Sequence, residues 1–345
     1  MPSGGRPTRA KETSNAFVRG GPVPAQSIAS PTLWLVSIVV LLALLVVDFV
    51  VTRRPHEVSV KEAAGWSVFY LALPFVFGLW LWTAFGGGQA LEFVTGFVVE
   101  KSLSVDNLFV FMLLLAAFAV PSAVQQRVLL YGIVGALVLR GVFIAAGAAM
   151  LSAGTWAFLV FGLVLLASAV KILHAAVTGT EAVGDVSQMR SVRLLRKFMP
   201  VTDDYRGTKM FVREHGRRAL TPLAVVVVAI FATDVVFAID SVPAVYGITE
   251  DPYLVFTTNA FALLGLRALY FVLHSALAKL VHLNHGLAII LAFIGVKLVL
   301  HWAHGVWAGV PEIPTPVSLG VIVVVLGVVT VTSLRSRRTA DARSD

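Results

Sequence analysis

Long apolar runs, separated by short polar turns, occupy most of this chain. A helix that crosses the hydrocarbon core of a bilayer needs about 20 mostly apolar residues. Nine stretches meet this requirement, at residues 33–51, 66–85, 94–119, 127–151, 155–176, 220–246, 255–277, 285–303 and 316–334. The pattern predicts an all-α polytopic membrane protein with about nine transmembrane helices.

The composition excludes a soluble enzyme. The chain has 345 residues, of which 58% are hydrophobic and 13% are charged, whereas soluble domains carry about 25% charged residues. It contains no Cys, which excludes disulfides, thiolate metal sites and thiol nucleophiles. Because no nucleophile–base pair and no zinc helix motif are present either, we do not expect an enzyme.

The positive charges indicate the orientation in the membrane. Eighteen Lys and Arg residues fall in the connections on one side, including nine between Arg190 and Arg218, and four lie in the N-terminal tail on the other side. The positive-inside rule therefore places the C-terminus in the cytoplasm. Since the net charge of +8 comes mostly from these connections, nucleic acid is not an expected partner.

The predicted spans divide the chain into seven parts. These are a disordered N-terminal tail (1–32), two peripheral transmembrane helices (33–85), a first transmembrane repeat (92–176), a cytoplasmic loop (177–219), a second transmembrane repeat (220–303), a last transmembrane helix (316–334) and a cytoplasmic tail (335–345).

Charged residues also occur inside the apolar runs, where each costs about 2.5–3.5 kcal/mol at a helix centre. They follow one order twice. The first copy contains Glu100, Asp106, Arg140 and Lys171, and the second contains Asp234, Asp240, Arg267 and Lys297. A further basic residue, Lys101, follows Glu100, while Asn107 and Ser241 follow the second acid of each copy. Since each copy has three helices, the second enters the membrane from the opposite side. This predicts an inverted repeat, as in many secondary transporters.

The acidic residues and their polar neighbours predict a metal site where the two copies meet. Pro243 has no N–H, so the carbonyl of Ile239 loses its helical partner beside Asp240. Carboxylates and carbonyls suit Mg²⁺, Ca²⁺ or Mn²⁺. The candidate ligands are Glu100, Asp106, Asn107, Asp234, Asp240 and Ser241, and the charge-balancing residues are Arg140, Lys171, Arg267 and Lys297.

A purely structural interpretation remains open for the same charges. Asp106 would then pair with Arg140, and Asp240 with Arg267, to hold helices together. Lys171 lies near a helix end and can extend its ammonium to the interface. Four histidines near helix ends are typical of interfacial caps, with metal handling as the alternative: His282, His285, His301 and His304.

Four segments resemble the TerC family of integral membrane proteins, named for tellurium resistance. They are EKSLSVDNLFVF (100–111), FATDVVFAIDSVPAVYGIT (231–249), DPYLVFTTNAFALLGLRALYF (251–271) and GVKL (295–298). The family is related to LysE-type exporters, and several members are implicated in manganese export. The resemblance places the acidic motif residues of the family on the six candidate ligands.

Together these observations predict a multi-pass protein of a bacterial inner membrane that exports a divalent cation, Mn²⁺ above others. We expect no tightly bound cofactor, and the lipid bilayer and the transported cation as partners. The alternative is a membrane scaffold of a stress-resistance or secretion complex, which would bind protein partners through residues 177–219.

Overall fold

The computed structural model describes residues 27–51, 60–178, 201–202, 204–207, 209–214, 217–266, 270, 282–307 and 309–341. Nine helices and one β-hairpin have defined bounds in these ranges. The helices are α1 (Pro31–Val51), α2 (Val60–Phe85), α3 (Gly87–Ala117), α4 (Ser122–Ala153), α5 (Trp156–Thr178), α6 (Pro222–Tyr246), α7 (Pro252–Leu263), α8 (Leu283–Val306) and α9 (Thr315–Asp341). The hairpin strands are β1 (Phe211–Glu214) and β2 (Arg217–Leu220).

The predicted fold class, an all-α polytopic membrane protein, is confirmed. Among the described residues, seven helices are long and apolar enough to cross a membrane. The other two are α3, which carries Glu100, Lys101 and Asp106, and the short α7 of 12 residues. The total of nine spans stays a prediction.

The outer helices turn apolar side chains away from the protein. Leu35 on α1, Val68 on α2 and Val324 on α9 are each more than 60% exposed. A helix that is apolar on all faces is typical of a membrane span, and these faces suit contact with lipid tails.

Helices α3 and α6 run in opposite directions. Near the start of α3, Glu92 accepts a 2.7 Å hydrogen bond from Thr249, which lies just beyond the end of α6. At the other end of α3, the carbonyl of Phe118 accepts a 2.7 Å hydrogen bond from Tyr205, in the segment that leads into α6. An inverted repeat requires this relation between the first helices of the two copies.

The remaining contacts between the copies are reciprocal. Helix α3 packs on α7 and α6 packs on α4, while the third helices, α5 and α8, pack on each other. Their crossing is close: a Cβ at Gly162 would lie 2.9 Å from the carbonyl oxygen of Gly295, and one at Gly295 3.0 Å from that of Gly162. A twofold relation would produce this pattern; the repeat itself stays a prediction.

The segment that precedes α1 lies on the same side of the membrane as the connection between α6 and α7. Asp251 accepts hydrogen bonds from the Ser27 hydroxyl at 3.1 Å and from the Ile28 amide at 2.6 Å. Residues 27–30, which the sequence assigned to the disordered tail, lie among the described residues. Residues 1–26 of that tail, residues 179–200 of the predicted cytoplasmic loop and the last four residues lie outside the described residues.

Candidate functional site

Arg140 is the centre of the candidate site. It lies in α4 with a side chain that is 0% exposed, and its guanidinium contacts three other helices. It forms an ion pair with the fully buried Glu100 of α3. Its Nη2 lies 3.6 Å from Oδ1 of Asp234 on α6, and its Nη1 donates a 2.9 Å hydrogen bond to Oδ1 of Asn259 on α7. The site therefore joins helices of both predicted copies.

Asn107 completes the surroundings of the guanidinium. With its amide oxygen turned toward Arg140, it accepts a hydrogen bond from Nη2 at 3.1 Å. The same orientation lets its amide nitrogen donate to the carbonyl of Leu103 at 3.1 Å. Glu100 and Asn107 are seven residues apart and share a helix face, which explains how one arginine reaches both.

The charges of this group do not cancel. Glu100 and Asp234 together carry two negative charges when ionised, and Arg140 supplies one positive charge. Each is buried, and a buried charge is stable only when it is paired and hydrogen-bonded. The planar guanidinium suits this arrangement because its five N–H donors can serve several acceptors at once. When both carboxylates are ionised, these three side chains carry one net negative charge, which would favour a further cation.

Several buried oxygen atoms on the helices that carry the site have no hydrogen-bond partner in the described part of the chain. They are Oδ2 of Asp234 and the hydroxyl oxygens of Ser104, Ser241 and Thr258. Ser104 lies one turn after Glu100 on α3, and a Cβ at Gly96, one turn before Glu100, would lie 3.4 Å from the Thr258 hydroxyl. Unsatisfied buried oxygens are costly, and carboxylate and hydroxyl oxygens are ligands of hard divalent cations.

No group of three or more His, Cys, Asp and Glu side chains that could hold a metal ion occurs among the described residues. The arginine occupies the position between the two carboxylates instead. The side chain of Asp106, a predicted ligand, lies outside the described residues, as does the whole of Arg267, a predicted counter-charge.

Asp240 lies in a different environment from Asp234. Six residues along a helix turn the side chain by about a third of a turn, so Asp240 faces α5 whereas Asp234 faces α4. Its Oδ1 accepts a 2.5 Å hydrogen bond from Ser168, and the exposed Lys171 is close enough for electrostatic attraction. The structure therefore separates Asp240 from the arginine group.

Pro243 does not interrupt α6, which stays helical to Tyr246. The interruption occurs in the predicted span 255–277 instead. Helix α7 ends at Leu263, Gly265 has a φ of +71°, and Leu266 is helical again. Near this end Lys101 donates a 3.1 Å hydrogen bond to the carbonyl of Ala262.

The remaining predicted residues lie away from Arg140. Lys297 on α8 is half-buried and is attracted by Glu92 and Glu312 near the Thr249 side of the protein. His301 lies between carboxylates, with its ring nitrogens 3.4 Å from Glu250 and 3.0 Å from Glu312. This position agrees with an interfacial role.

The sequence analysis did not identify three residues that make contacts described above. Asn259 accepts a hydrogen bond from Arg140, Ser168 donates one to Asp240, and the carbonyl of Ala262 accepts one from Lys101. Asn259 could have been identified from the sequence, because its polar amide lies inside the mostly apolar span 255–277, in the segment TTNAF. The role of Ala262 could not have been identified, since its backbone carbonyl makes the contact.

The helices and the buried ion-pair group define a polytopic α-helical integral membrane protein with a charged site between its helices. The family model "Integral membrane protein TerC family" matches residues 85–341. The chain belongs to this family, as the sequence motifs predicted.

Relatives match over nearly the whole chain. It is 39% identical over 315 residues to the "Uncharacterized membrane protein STKORF319" of Myxococcus xanthus, covering 91% of this chain and 95% of the relative. It is 39% identical over 317 residues to the "Putative membrane-bound redox modulator Alx" of Salmonella typhi, covering 89% and 94%. It is 41% identical over 323 residues to the "Uncharacterized membrane protein Rv2723" of Mycobacterium tuberculosis, covering 90% and 81%. No solved structure matches the chain.

Proposed function

We propose that this protein exports a divalent metal cation, with Mn²⁺ as the main substrate, through the site around Arg140. The observation that supports the proposal is the bridging position of this one buried arginine between Glu100 and Asp234. Buried carboxylates from two helices, with the unpaired Oδ2 of Asp234 and the unpaired hydroxyl of Ser104 one turn from Glu100, are oxygen donors of the kind that hard divalent cations prefer. The site is electrostatically unsuited to an oxyanion such as tellurite.

In this proposal Arg140 holds the carboxylates while the site contains no metal. Removing one partner from a buried ion pair leaves an uncompensated charge, which is strongly unfavourable. A divalent cation that enters between Glu100 and Asp234 would neutralise both carboxylates and repel the guanidinium, so Arg140 would have to move away from the metal to another anion or to water. Loading the ion and moving Arg140 would then be one event that links α3, α4, α6 and α7.

Asp240 would act later on the path. It lies beyond Asp234 along α6, in the direction of Thr249, which the charge pattern places outside the cytoplasm. Its side chain is half-buried, whereas that of Asp234 is almost completely buried. We assign Asp240, together with Ser168, to the exit of the ion. Asp106 and Ser241 remain proposed ligands, and Lys171, Lys297 and Arg267 remain proposed counter-charges.

The name of the Alx relatives, "Putative membrane-bound redox modulator", is compatible with an indirect role. This chain contains no Cys, so it has no thiol to exchange with a partner. Control of a redox-active metal such as manganese would change the redox state of the cell without redox chemistry in the protein itself. We further propose that the protein resides in the inner membrane with its C-terminus in the cytoplasm.

The test is Mn²⁺ flux into proteoliposomes that contain a Mn²⁺-quenched dye. Purified wild-type protein, Asp234→Asn and Glu100→Gln are compared with Glu250→Gln as the control, because Glu250 is an exposed carboxylate at the protein surface. Wild type and Glu250→Gln should quench the dye, and the two site variants should not. Equal quenching by all four proteins, or by none, would contradict the proposal.

The scaffold alternative predicts the reverse sensitivity in cells. Charge reversal of Arg206, Lys209 and Arg213 would then abolish manganese tolerance, whereas Asp234→Asn would be tolerated at matched protein level. Cell-associated manganese in each strain distinguishes the two proposals.

A further inference from the structure

Helix α7 ends at a depth where a membrane protein has no water to satisfy its backbone. Its 12 residues span about 18 Å at 1.5 Å per residue, whereas the hydrocarbon core is about 30 Å thick. The residues around its end, Ala260 to Leu264 and Leu266, are buried. The interruption therefore lies inside the protein, where irregular backbone at membrane depth is tolerated.

Two features of Gly265 favour the interruption at this position. Gly265 has a φ of +71°, a left-handed conformation that glycine adopts without steric cost. A Cβ at Gly265 would also lie 2.4 Å from the Cβ of Tyr70 on α2, so no larger residue fits against this helix. Tyr70 thus covers the bend closely.

The end of α7 carries carbonyl groups that a continuous helix would have satisfied. The amide of Leu264 still donates to Ala260 at 2.9 Å, but the last carbonyls of a helix lose their donors in the next turn. This end is also the negative pole of the helix dipole. The ammonium of Lys101 lies here, 3.1 Å from the carbonyl oxygen of Ala262.

Lys101 and its neighbour Glu100 connect α3 to different elements. Glu100 contacts Arg140, which in turn donates to Asn259 on α7. Lys101 contacts Ala262, three residues further along the same helix. Two positive groups, Lys101 and Arg140, therefore contact the C-terminal part of α7. Of these two, only Arg140 also contacts the buried carboxylates Glu100 and Asp234 in the described structure.

We propose that the end of α7 is a binding position for a small monovalent cation, and that Lys101 fills it as a cation tethered to α3. Interrupted transmembrane helices commonly bind Na⁺ at such carbonyl ends. Here the chain supplies the positive charge itself. The interrupted helix is then held without an external ion, and, if the proposed function is correct, metal export does not depend on sodium.

Replacing the lysine by alanine should open this position to a free cation. The experiment uses full-length protein purified in detergent with a chelator, so that no divalent cation contributes. Unfolding temperatures are measured in NaCl, KCl and choline chloride at equal ionic strength, for wild type, Lys101→Ala, Lys101→Arg and the control Lys209→Ala. Lys209 is an exposed lysine outside the membrane-spanning helices.

The expected result is a gain of cation dependence in one variant. Lys101→Ala should unfold several degrees below wild type in choline, and its midpoint should rise with the logarithm of Na⁺ or K⁺ concentration, as linked binding requires. For wild type, Lys101→Arg and Lys209→Ala, the midpoint of each protein should be the same in all three salts. A Lys101→Ala midpoint that equals wild type, or that is the same in all salts, overturns the proposal.

A second comparison applies when Lys101→Ala does not accumulate. Lys101→Arg keeps a positive donor and should accumulate in membranes, whereas Lys101→Met keeps the length without the charge and should not. Equal accumulation of these two variants overturns the proposal. Because neither measurement involves metal transport, the cation position can stand even where the dye assay finds no Mn²⁺ flux.

Discussion

Arg140 and Asp234 lie 3.6 Å apart, from Nη2 to Oδ1, on helices that the sequence assigns to opposite copies of the repeat. Both side chains are almost completely buried. The pair therefore links a helix of the first predicted copy to a helix of the second.

The first prediction concerns the stability of this group. Arg140→Met removes the positive charge and leaves two buried carboxylates, which should lower the free energy of unfolding by about 3–5 kcal/mol. Adding Glu100→Gln and Asp234→Asn to Arg140→Met should recover most of the loss, because no uncompensated charge then remains. Thermal unfolding in detergent measures both the loss of stability in Arg140→Met and its recovery in the triple variant. A triple variant less stable than the single one would show that the group does not act through charge.

A second prediction concerns the crossing of α5 and α8. Gly295→Leu places a side chain where a Cβ already lies 3.0 Å from the carbonyl oxygen of Gly162, so the helices must separate. The variant should lose most of its folded yield. Gly141→Leu is the control, since nothing lies within 4 Å of a Cβ at Gly141. Folded yield by size-exclusion chromatography distinguishes them, and equal yields would contradict the close crossing.

The sequence predicted the helices well because apolar runs and bilayer thickness determine them almost completely. It also predicted a metal site that Glu100, Asn107 and Asp234 share, which stays a prediction, although all three side chains contact Arg140. It did not predict that Arg140 would bind two carboxylates at once, because the partner of a buried arginine depends on the rotation of four helices. Asp240 illustrates the same limit, since a third of a turn separates a contact with α4 from one with α5.

The interruption of α7 shows a second limit. Pro243 suggested an irregular helix, yet α6 stays helical to Tyr246, and the proline removes only the donor of the Ile239 carbonyl. The actual break follows Leu264, with Gly265 as its permissive residue. A glycine in an apolar run is common in membrane helices, so its effect depends on Tyr70, which the sequence places almost 200 residues away.

A third prediction concerns the contact between the β-hairpin segment and α3. Burial raises the pKa of the Tyr205 hydroxyl, which donates to Phe118. The contribution of this contact to stability is complete at pH values below the ordinary tyrosine pKa of about 10. It is lost as the pH rises from there through the raised pKa of Tyr205 in the folded protein. Protease cleavage within residues 201–220 should therefore accelerate above about pH 10. At pH 8, Tyr205→Phe should be cleaved faster than wild type, and its cleavage rate should increase little at higher pH. Identical pH profiles of cleavage for both proteins would contradict the contact.

The last prediction separates the two acids of α6. Asp234 contacts Arg140, whereas Asp240 is half-buried and contacts Ser168, so their neutral variants should fail at different steps. Asp234→Asn should abolish the Mn²⁺-dependent rise in unfolding temperature together with transport. Asp240→Asn should keep that rise, because the buried oxygens are intact, yet slow the flux by about tenfold, which corresponds to about 1.4 kcal/mol of barrier. Ser168→Ala is the matched variant that retains the carboxylate but removes its hydrogen bond, and its flux should fall between wild type and Asp240→Asn. Loss of the Mn²⁺-dependent rise in Asp240→Asn would instead place Asp240 among the ligands that bind the ion first.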